Sequence, residues 1–310
     1  MTKTLMIQGT SSGAGKTTLV TALCRIFADE GYRVAPFKSQ NMSSYSYRRN
    51  DFEISRAQAI QAIAARTDVS PHMNPILLKP LGDYKSEVFV KGKFYKKMHA
   101  DEYYKKFSLT KGLDIAKESL DYLRRRYDLV ILEGAGSPVE INMQKYDIAN
   151  MKMAEYCSSP VILVSDIDKG GTFASIVGTL ELLEREYKRF VKGYVINKFR
   201  GDIEILRPGF VMLKKKTNRP VFGIIPLLKL DIPDEDSLHT NPKRVLFTTQ
   251  YIRSLDKEIE HLSQVVRSSP IASVTERIRT SIILKDHVSF SYLDLISQLD
   301  LNALSLCQGI

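Results

Sequence analysis

The sequence is poor in cysteine and contains no long hydrophobic run. Its 310 residues include only Cys24, Cys157 and Cys307, which lie far apart and form no Cys-x-x-Cys pair. A disulfide framework or a zinc site is therefore not expected, because both need grouped cysteines. No apolar run approaches the ~20 residues that span a bilayer, and residues 1–8 lack the pattern of a signal peptide. We expect a cytoplasmic protein with reduced thiols and no membrane segment.

Internal repeats and low-complexity tracts are also absent from the sequence, whose composition is that of an ordinary globular protein. Lysine and arginine exceed aspartate and glutamate by 45 to 35, so the formal net charge is +10. Between residues 79 and 111, nine lysines face four acids. Such an excess suits nucleic acid, phosphates, a polycarboxylate substrate or a solvated surface. Charge alone leaves the partner open.

Short apolar runs alternate with segments of helical periodicity over residues 1–230. The apolar runs show little polar alternation, which is typical of buried parallel strands. They are residues 5–8, 33–37, 129–132, 161–164, 194–196 and 221–225. The helical segments are residues 17–30, 53–66, 113–127, 148–156, 172–187 and 203–217. This order predicts an α/β fold with a doubly wound, mostly parallel sheet covered by helices on both faces.

Two regions depart from the alternation. Residues 71–111 form a predicted insertion, with one extra strand at residues 86–90. Beyond the last parallel strand, the pattern predicts an acidic loop, a strand and a helix, at residues 231–237, 241–253 and 256–267. We therefore predict one domain over residues 1–237 and an appendage over residues 238–310.

A glycine-rich loop between the first predicted strand and helix is the strongest motif. It reads Gly9-Thr-Ser-Ser-Gly-Ala-Gly-Lys-Thr-Thr18. In this context, glycines let backbone N–H groups face phosphates, Lys16 reaches the β- and γ-phosphates, and the Thr17 hydroxyl ligates Mg²⁺. The strict P-loop spacing would place glycine at Thr10, so the loop is a variant. We expect it to bind ATP and Mg²⁺ through Gly13, Gly15, Lys16, Thr17 and Thr18.

Polar residues follow three other predicted strands, at the sheet edge where ligands gather. Glu133 is expected to complete the Mg²⁺ shell with Thr17. Lys38 is expected to stabilise charge on the transferred phosphoryl group. Asn197 is expected to contact the adenine edge, because an amide both donates and accepts. The structural alternatives are a helix cap, a solvated lysine and a turn-forming asparagine.

Two further acids are ambiguous. Glu53 opens a predicted helix, so it either complements the helix dipole or belongs to a metal or substrate site. Asp147 opens the short segment Asp147-Ile-Ala-Asn150 and has the same two interpretations.

Several blocks, in order along the chain, resemble the cobyric acid synthase family. The glycine-rich loop is similar to those of dethiobiotin synthetases and cobyrinate-type amide synthetases, whereas partition-type ATPases carry a lysine where this chain has Ser11. The further blocks extend the resemblance to residue 237. They include Phe37-Lys-Ser-Gln-Asn-Met-Ser43, Glu53-Ile-Ser-Arg-Ala-Gln58, Glu133-Gly-Ala-Gly-Ser-Pro-Val-Glu-Ile-Asn142, Asp147-Ile-Ala-Asn-Met151 and Val195-Ile-Asn-Lys-Phe-Arg-Gly-Asp202.

The resemblance implies a dethiobiotin-synthetase-like P-loop NTPase that uses ATP and Mg²⁺ to amidate carboxylates of adenosylcobyrinic acid a,c-diamide through acyl phosphates. It implies that Lys16, Thr17, Lys38 and Glu133 handle phosphate and metal and that Asp147 lies on the corrinoid side. We predict catalytic roles for Lys16, Lys38 and Asp147, and Mg²⁺ ligation by Thr17, Glu133 and Glu53. The resemblance also implies that the corrinoid is bound by Ser39, Gln40, Asn41, Ser43, Arg56 and Asn142.

The family typically continues into a glutaminase domain, and residues 238–310 are expected to stand in its place. Cys307 is then non-catalytic, and ammonia is free or comes from a separate glutaminase chain. We expect no nucleic-acid or membrane partner and keep a homo-oligomer open. Two alternatives remain: a dethiobiotin-synthetase-like ligase acting on another carboxylate, and a P-loop ATPase switch that binds DNA or a membrane.

Overall fold

The structure, a computed structural model, describes residues 2–49, 51–229 and 247–268. Its strands in chain order are β1 (Lys3–Gly9), β2 (Val34–Phe37), β3 (Gln40–Met42), β4 (Ser46–Arg49), β5 (Phe52–Ser55), β6 (Ile76–Gly82), β7 (Lys85–Val90), β8 (Lys93–His99), β9 (Leu129–Glu133), β10 (Val161–Asp166), β11 (Val191–Phe199) and β12 (Val221–Pro226). Its α-helices are α1 (Lys16–Asp29), α2 (Arg56–Ala64), α3 (Ala100–Glu102), α4 (Leu113–Arg124), α5 (Met151–Tyr156), α6 (Thr172–Leu182), α7 (Arg185–Lys188), α8 (Arg207–Thr217) and α9 (Thr249–Arg267).

Six strands form a central parallel sheet in the order β12-β11-β10-β1-β9-β2. The first strand lies in the middle, so the chain winds outward from it in both directions, and all six predicted central strands are present. This arrangement confirms the predicted doubly wound α/β fold. It also brings the carboxyl ends of β1, β9 and β2 side by side, because Ile7 pairs with Glu133 and Phe37 pairs with Leu132.

Hydrophobic side chains cover both faces of the central sheet, which explains why its strands show no polar alternation. Along β1, Leu5 and Ile7 pack with α1, α2 and α9, whereas Met6 packs on the opposite face with α4, α5, α6 and α8. All three side chains are fully buried. The strand therefore gains burial from both sides, at roughly 2 kcal/mol for each large aliphatic side chain.

The predicted insertion is larger than its single expected strand. The strand at residues 86–90 is present as β7, and it belongs to a second sheet of order β3-β6-β7-β8. A small core of its own lies beneath this sheet and includes Ile76, Leu78, Val88 and Met98. Three of the lysines of this region lie in β8, whose first five residues, Lys93 to Lys97, are all exposed. The polar sequence of β8 explains why it was not predicted, whereas β6 begins with three buried apolar residues and was missed despite them.

The predicted helix 53–66 is wrong at its start. Residues Phe52–Ser55 form β5, which pairs antiparallel with β4, and the helix begins only at Arg56. Ser55 caps it, since its side chain accepts a hydrogen bond from the backbone N–H of Ala57. Glu53 therefore lies in a hairpin and does not complement a helix dipole.

Other predicted helices are shorter than expected. The segment 148–156 is helical only as α5, and the segment 113–127 ends at Arg124. The segment 172–187 is divided into α6 and α7 by extended backbone at Leu183 and Glu184. The segment 203–217 begins with a 3-10 turn, after which α8 starts with proline in its first turn.

The prediction of a strand at residues 241–253 is wrong for the residues that the structure describes. Residues 241–246 lie outside the described part of the chain, and Thr249 begins the 19-residue helix α9. The side chain of Thr248 caps this helix by accepting from the N–H of Tyr251, 3.1 Å away. The apolar face of α9, including Leu255 and Ile259, packs in the same core as α1. The described part of the predicted appendage therefore shares a core with the central domain.

Candidate active site

The glycine-rich loop connects β1 to α1 and folds back over the start of the helix. Gly15 has a φ of +96°, and a Cβ atom there would lie 2.0 Å from Nδ2 of Asn197. Glycine is therefore required by both backbone conformation and space. The Lys16 ammonium donates to the carbonyl oxygens of Ser11 at 3.2 Å and Gly136 at 3.0 Å. Together these contacts give the cradle that phosphates need at a helix N-terminus.

Glu133 is the centre of the polar site. It ends β9 next to β1, and it is 1% exposed. Its Oε1 accepts a hydrogen bond from the Thr17 hydroxyl at 2.8 Å and pairs with the Lys38 ammonium at 3.0 Å. Its Oε2 accepts from Nε2 of Gln61 at 2.5 Å. The structure thus brings together the predicted residues Thr17, Lys38 and Glu133, with Lys16 donating to the carbonyl oxygen of Gly136, three residues after Glu133.

The donor atoms at this point suit Mg²⁺. The Thr17 hydroxyl and the Glu133 carboxylate are hard oxygen ligands, and Mg²⁺ is commonly held by one or two such groups together with phosphate oxygens and water. Within the described residues, no group of three or more His, Cys, Asp or Glu side chains could hold a metal by itself. At this point Thr17 and Glu133 could hold Mg²⁺ together with the phosphate oxygens of a nucleotide.

Asn197 lies beneath the phosphate loop. It is 6% exposed, and its Nδ2 donates to the carbonyl oxygen of Ala14 at 2.9 Å. Its amide nitrogen thus supports the loop backbone, and adenine contact by Asn197 stays a prediction. Thr18 is half-buried in the first turn of α1.

Lys198 is a site residue that the sequence reasoning missed. Its ammonium donates to the carbonyl oxygen of Gly13 at 2.8 Å and to Asp166 at 2.9 Å. Its backbone has a φ of +60°, a conformation that non-glycine residues rarely adopt outside functional or constrained positions. The sequence offered only its position beside Asn197 as a signal.

The predicted corrinoid-binding segment follows β2 and is held by hydrogen bonds to other elements. The Ser39 hydroxyl donates to the carbonyl oxygen of Ile148 at 2.8 Å, and Gln40 accepts from the Tyr103 hydroxyl at 2.7 Å. The Ser43 hydroxyl donates to the carbonyl oxygen of Tyr45 at 3.1 Å. Their substrate roles stay predictions.

Asn41 and Arg56 connect this segment to α2. Nδ2 of Asn41 donates to the Ser55 hydroxyl at 2.7 Å and to Oε1 of Gln58 at 3.1 Å. The Arg56 guanidinium stacks on the Tyr45 ring, 4.0 Å from its centroid. Both predicted residues are buried.

Glu53 is engaged by cations of the hairpin and the second sheet. Its carboxylate accepts from Lys79 at 2.6 Å, from Arg48 at 2.8 Å and from the Ser46 hydroxyl. Burial by itself raises the pKa of Glu53, but these hydrogen bonds outweigh burial and lower the pKa to about 2. The carboxylate is therefore ionised and ion-paired, and its predicted role as a metal ligand stays untested.

Asp147 and Asn142 lie together at a separate cleft. This cleft of about 310 Å³ also includes Met151 and Tyr187 in its lining. One oxygen of Asp147 accepts from the N–H of Ala149 at 2.6 Å, and the other accepts from Nδ2 of Asn150 at 2.7 Å. Burial raises the pKa of Asp147 more than these bonds lower it. Neither Lys16 nor Glu133 lines this cleft.

Gln61 is the second site residue that the sequence reasoning missed. Its side chain is fully buried and contacts Glu133 from α2. Gln58 and Gln61 stand three residues apart on a helix in which almost every residue is buried. Two buried glutamines at this spacing are a signal that hydrophobic periodicity alone does not reveal.

Comparison with known proteins yields close relatives by sequence. The sequence profile of the CobQ/CobB/MinD/ParA nucleotide binding domain matches residues 5–237. A cobyric acid synthase from Caldanaerobacter subterraneus subsp. tengcongensis is 54% identical over 233 residues, which are 75% of this chain and 46% of that protein. One from Thermoanaerobacter sp. strain X514 is 49% identical over 279 residues, 87% of this chain and 53% of that protein. The chain spans about half the length of the curated relatives it matches.

Among solved structures, the septum site-determining protein MinD from Pyrococcus horikoshii, complexed with Mg-ADP, is similar with a TM-score of 0.43 and 12% identity. The match covers 90% of this chain and 96% of that one. In the described part of the chain, none of the helices has the length and hydrophobicity needed to cross a membrane.

Proposed function

The chain belongs to the CobQ/CobB/MinD/ParA family of nucleotide-binding domains, and from this premise we propose that it carries out the ATP-dependent amidation of a cobyric acid synthase. The observation that carries the proposal is the sequence identity of the chain with proteins named cobyric acid synthase. It is 54% over 233 residues with one of them and 49% over 279 residues with another. The contacts of Thr17 and Lys38 with Glu133 support the proposal, because P-loop phosphoryl transfer uses a hydroxyl and a carboxylate at the metal and cations at the phosphates.

The proposed substrate is adenosylcobyrinic acid a,c-diamide, with ATP as the phosphoryl donor. A substrate carboxylate oxygen attacks the γ-phosphorus, the bond to the β-γ bridging oxygen breaks, and ADP leaves. Ammonia then forms a C–N bond with the acyl carbon, and phosphate leaves with the electron pair of the C–O bond and takes up the proton that ammonia loses. No nucleophilic side chain of the protein is needed in this scheme.

The roles of the residues follow from their positions. Lys16 and the loop N–H groups would bind the β- and γ-phosphates, and Lys38 would stabilise the negative charge that develops between donor and acceptor. Thr17 and Glu133 would hold Mg²⁺, which neutralises phosphate charge when bound. The residues around Asn41 and Arg56 would orient the corrinoid, with Asp147 and Asn142 at the neighbouring cleft.

The test is mass spectrometry of adenosylcobyrinic acid a,c-diamide after incubation with the chain, Mg-ATP and ammonium. Each amide formed lowers the corrinoid mass by about one unit, with one ADP released, as acyl phosphate activation requires. The variant Lys16→Met should give no product, because the ammonium that holds the phosphates is lost. Nucleotide binding without any amidated product would refute the assignment and direct the search to other carboxylates or to a switch role.

A further inference from the structure

A row of buried amide side chains connects Asn41 to Glu133 through helix α2. Nδ2 of Asn41 donates to Oε1 of Gln58 at 3.1 Å, and Nε2 of Gln58 donates to Oε1 of Gln61 at 3.3 Å. Nε2 of Gln61 then donates to Oε2 of Glu133 at 2.5 Å. All four side chains are at most 2% exposed.

The hydrogen bonds of this row all run in one direction. An ionised carboxylate only accepts hydrogen bonds, so Gln61 must present its nitrogen to Glu133 and its oxygen to Gln58. Gln58 must then present its nitrogen to Gln61 and its oxygen to Asn41. Each amide thereby fixes the orientation of the next, and hydrogen bonds in such chains strengthen one another.

The two carboxylate oxygens of Glu133 have different hydrogen-bond partners. Oε2 accepts from Gln61, whereas Oε1 faces the Thr17 hydroxyl and the Lys38 ammonium on the side of the phosphate loop. A carboxylate with one oxygen bound by a fixed donor has little freedom to rotate. Oε1 therefore stays directed toward Thr17 of the phosphate loop.

We propose that Gln61 is a positioning residue that aims Glu133 at the nucleotide-bound metal, and that Gln58 keeps the Gln61 amide in the orientation this requires. The proposal rests on the Mg²⁺ role given to Glu133 in the proposed function and not on the identity of the amidated substrate. Gln61 touches neither phosphate nor substrate in this scheme and acts only through Glu133.

Gln61→Met tests the proposal because it keeps the length and volume of the side chain while removing the donor. The readout is the Mg²⁺ concentration that half-saturates the binding of a fluorescent ADP analogue, which needs no turnover. A hydrogen bond to a charged group is roughly twice as strong as one between neutral groups, so its loss should weaken Mg²⁺ binding. We therefore expect the half-saturating Mg²⁺ concentration to rise at least about tenfold.

Gln264→Met is the matched control. Gln264 also donates to a carboxylate, Oε1 of Glu260 at 3.2 Å, but this pair lies on the exposed surface of α9. The same substitution there should leave the Mg²⁺ requirement unchanged. Gln58→Met is the graded variant: it retains the bond from Gln61 to Glu133 but frees the Gln61 amide to turn, so its effect should have the same sign and be smaller.

The outcomes separate this proposal from the one it rests on. If the unaltered protein binds the ADP analogue with no dependence on Mg²⁺, the metal role of Glu133 fails and the positioning role fails with it. If its binding depends on Mg²⁺ but Gln61→Met, with an unchanged circular dichroism spectrum, matches the unaltered protein, the positioning role alone is refuted. If Gln61→Met does not fold, Gln58→Met decides the matter by the same comparison.

Discussion

At the scale of single residues, the site depends on a charge pair that is out of contact with water. The side chains of Lys38 and Glu133 are 3% and 0% exposed. Removing ions from water is costly, so such a pair is maintained only when each charge is compensated by close partners. The pair lies beside the phosphate loop, where the Thr17 hydroxyl also donates to Glu133, and its role in phosphoryl transfer is part of the proposed function.

The Lys38→Met substitution tests this pair. It leaves a buried carboxylate with less compensating charge, and we expect the free energy of unfolding to fall by about 3 kcal/mol. The double variant Lys38→Met/Glu133→Gln should be less destabilised than the sum of the two single variants, because neither charge is then left alone. Urea unfolding measures all three, and strictly additive losses would contradict the coupling.

Gly15 provides a second test, with Gly31 as its matched control. Both glycines have a positive φ, +96° and +91°, but a Cβ at Gly31 meets nothing within 4 Å. The positive φ should therefore cost about 1 kcal/mol of stability in both Gly→Ala variants, and the contact with Asn197 adds to this cost at Gly15 only. Only Gly15→Ala should displace Asn197 and thereby weaken the binding of a fluorescent nucleotide. We expect the dissociation constant to rise about tenfold or more, which corresponds to the loss of about 1.4 kcal/mol of binding free energy. Equal nucleotide affinities in the two variants would show that the contact with Asn197 is unimportant.

At the scale of secondary structure elements, Glu53 ties the hairpin β4–β5 to the second sheet. Its carboxylate on β5 accepts from Arg48 on β4 and from Lys79 on β6. Because the folded-state pKa is lowered to about 2, the stabilisation is present above the unfolded-state pKa and is lost as the pH falls toward 2.

The Glu53→Gln variant should therefore differ from the unaltered protein in a pH-dependent way. Above pH 5 it should be less stable by about 3 kcal/mol, and the difference should shrink as the pH falls from about 4.5 toward 2. Urea unfolding between pH 7 and 3 measures this. Glu118→Gln, which breaks an exposed pair with Lys91, is the control and should change stability by less than about 1 kcal/mol. A constant difference at all pH values would mean that the pKa of Glu53 is not lowered.

Helix α9 is attached to α1 by an ion pair as well as by its apolar face. Arg25 on α1 is 1% exposed, pairs with Asp256 on α9, and its Nε and Nη1 have no hydrogen-bond partner among the described residues. Asp256→Asn should therefore destabilise the protein. We expect a loss of about 2 kcal/mol, which is less than for a fully buried ion pair because the side chain of Asp256 is half-exposed. Asp128→Asn, at the exposed pair with Arg33, should have little effect in the same unfolding assay. Equal effects of the two substitutions would argue against a special role for the α1–α9 pair.

At the scale of the whole molecule, nucleotide binding and the stability of α9 should be linked. The phosphate loop leads directly into α1, and α1 and α9 share one core with the central sheet. A nucleotide at 100 times its dissociation constant adds about 2.7 kcal/mol to the stability of the folded protein. Hydrogen exchange should show amides of α9 gaining protection together with those of β1. Protection of β1 alone would show that α9 unfolds independently.

The sequence by itself was sufficient for the central sheet and for most of the phosphate site. Buried parallel strands need continuous apolar runs, and the glycine-rich loop has few other uses in that context, so Lys16, Thr17, Lys38 and Glu133 were predicted from local pattern and strand position. The structure brings Thr17 and Lys38 into contact with Glu133, and the Lys16 ammonium donates to the nearby carbonyl oxygen of Gly136.

Only the tertiary structure decided the rest. In the second sheet, β8 is exposed along most of its length and offers no apolar run. The short apolar run Ile76–Leu78 at the start of β6 became recognisable as a strand only through its pairing with β3 and β7. Glu53 lies in a hairpin because pairing with β4 outweighs local helical preference. Gln61 and Lys198 became site residues through contacts with Glu133 and Gly13, 72 and 185 residues away in the chain. Local sequence determines which segments are buried, whereas contacts between distant polar groups depend on how those segments pack.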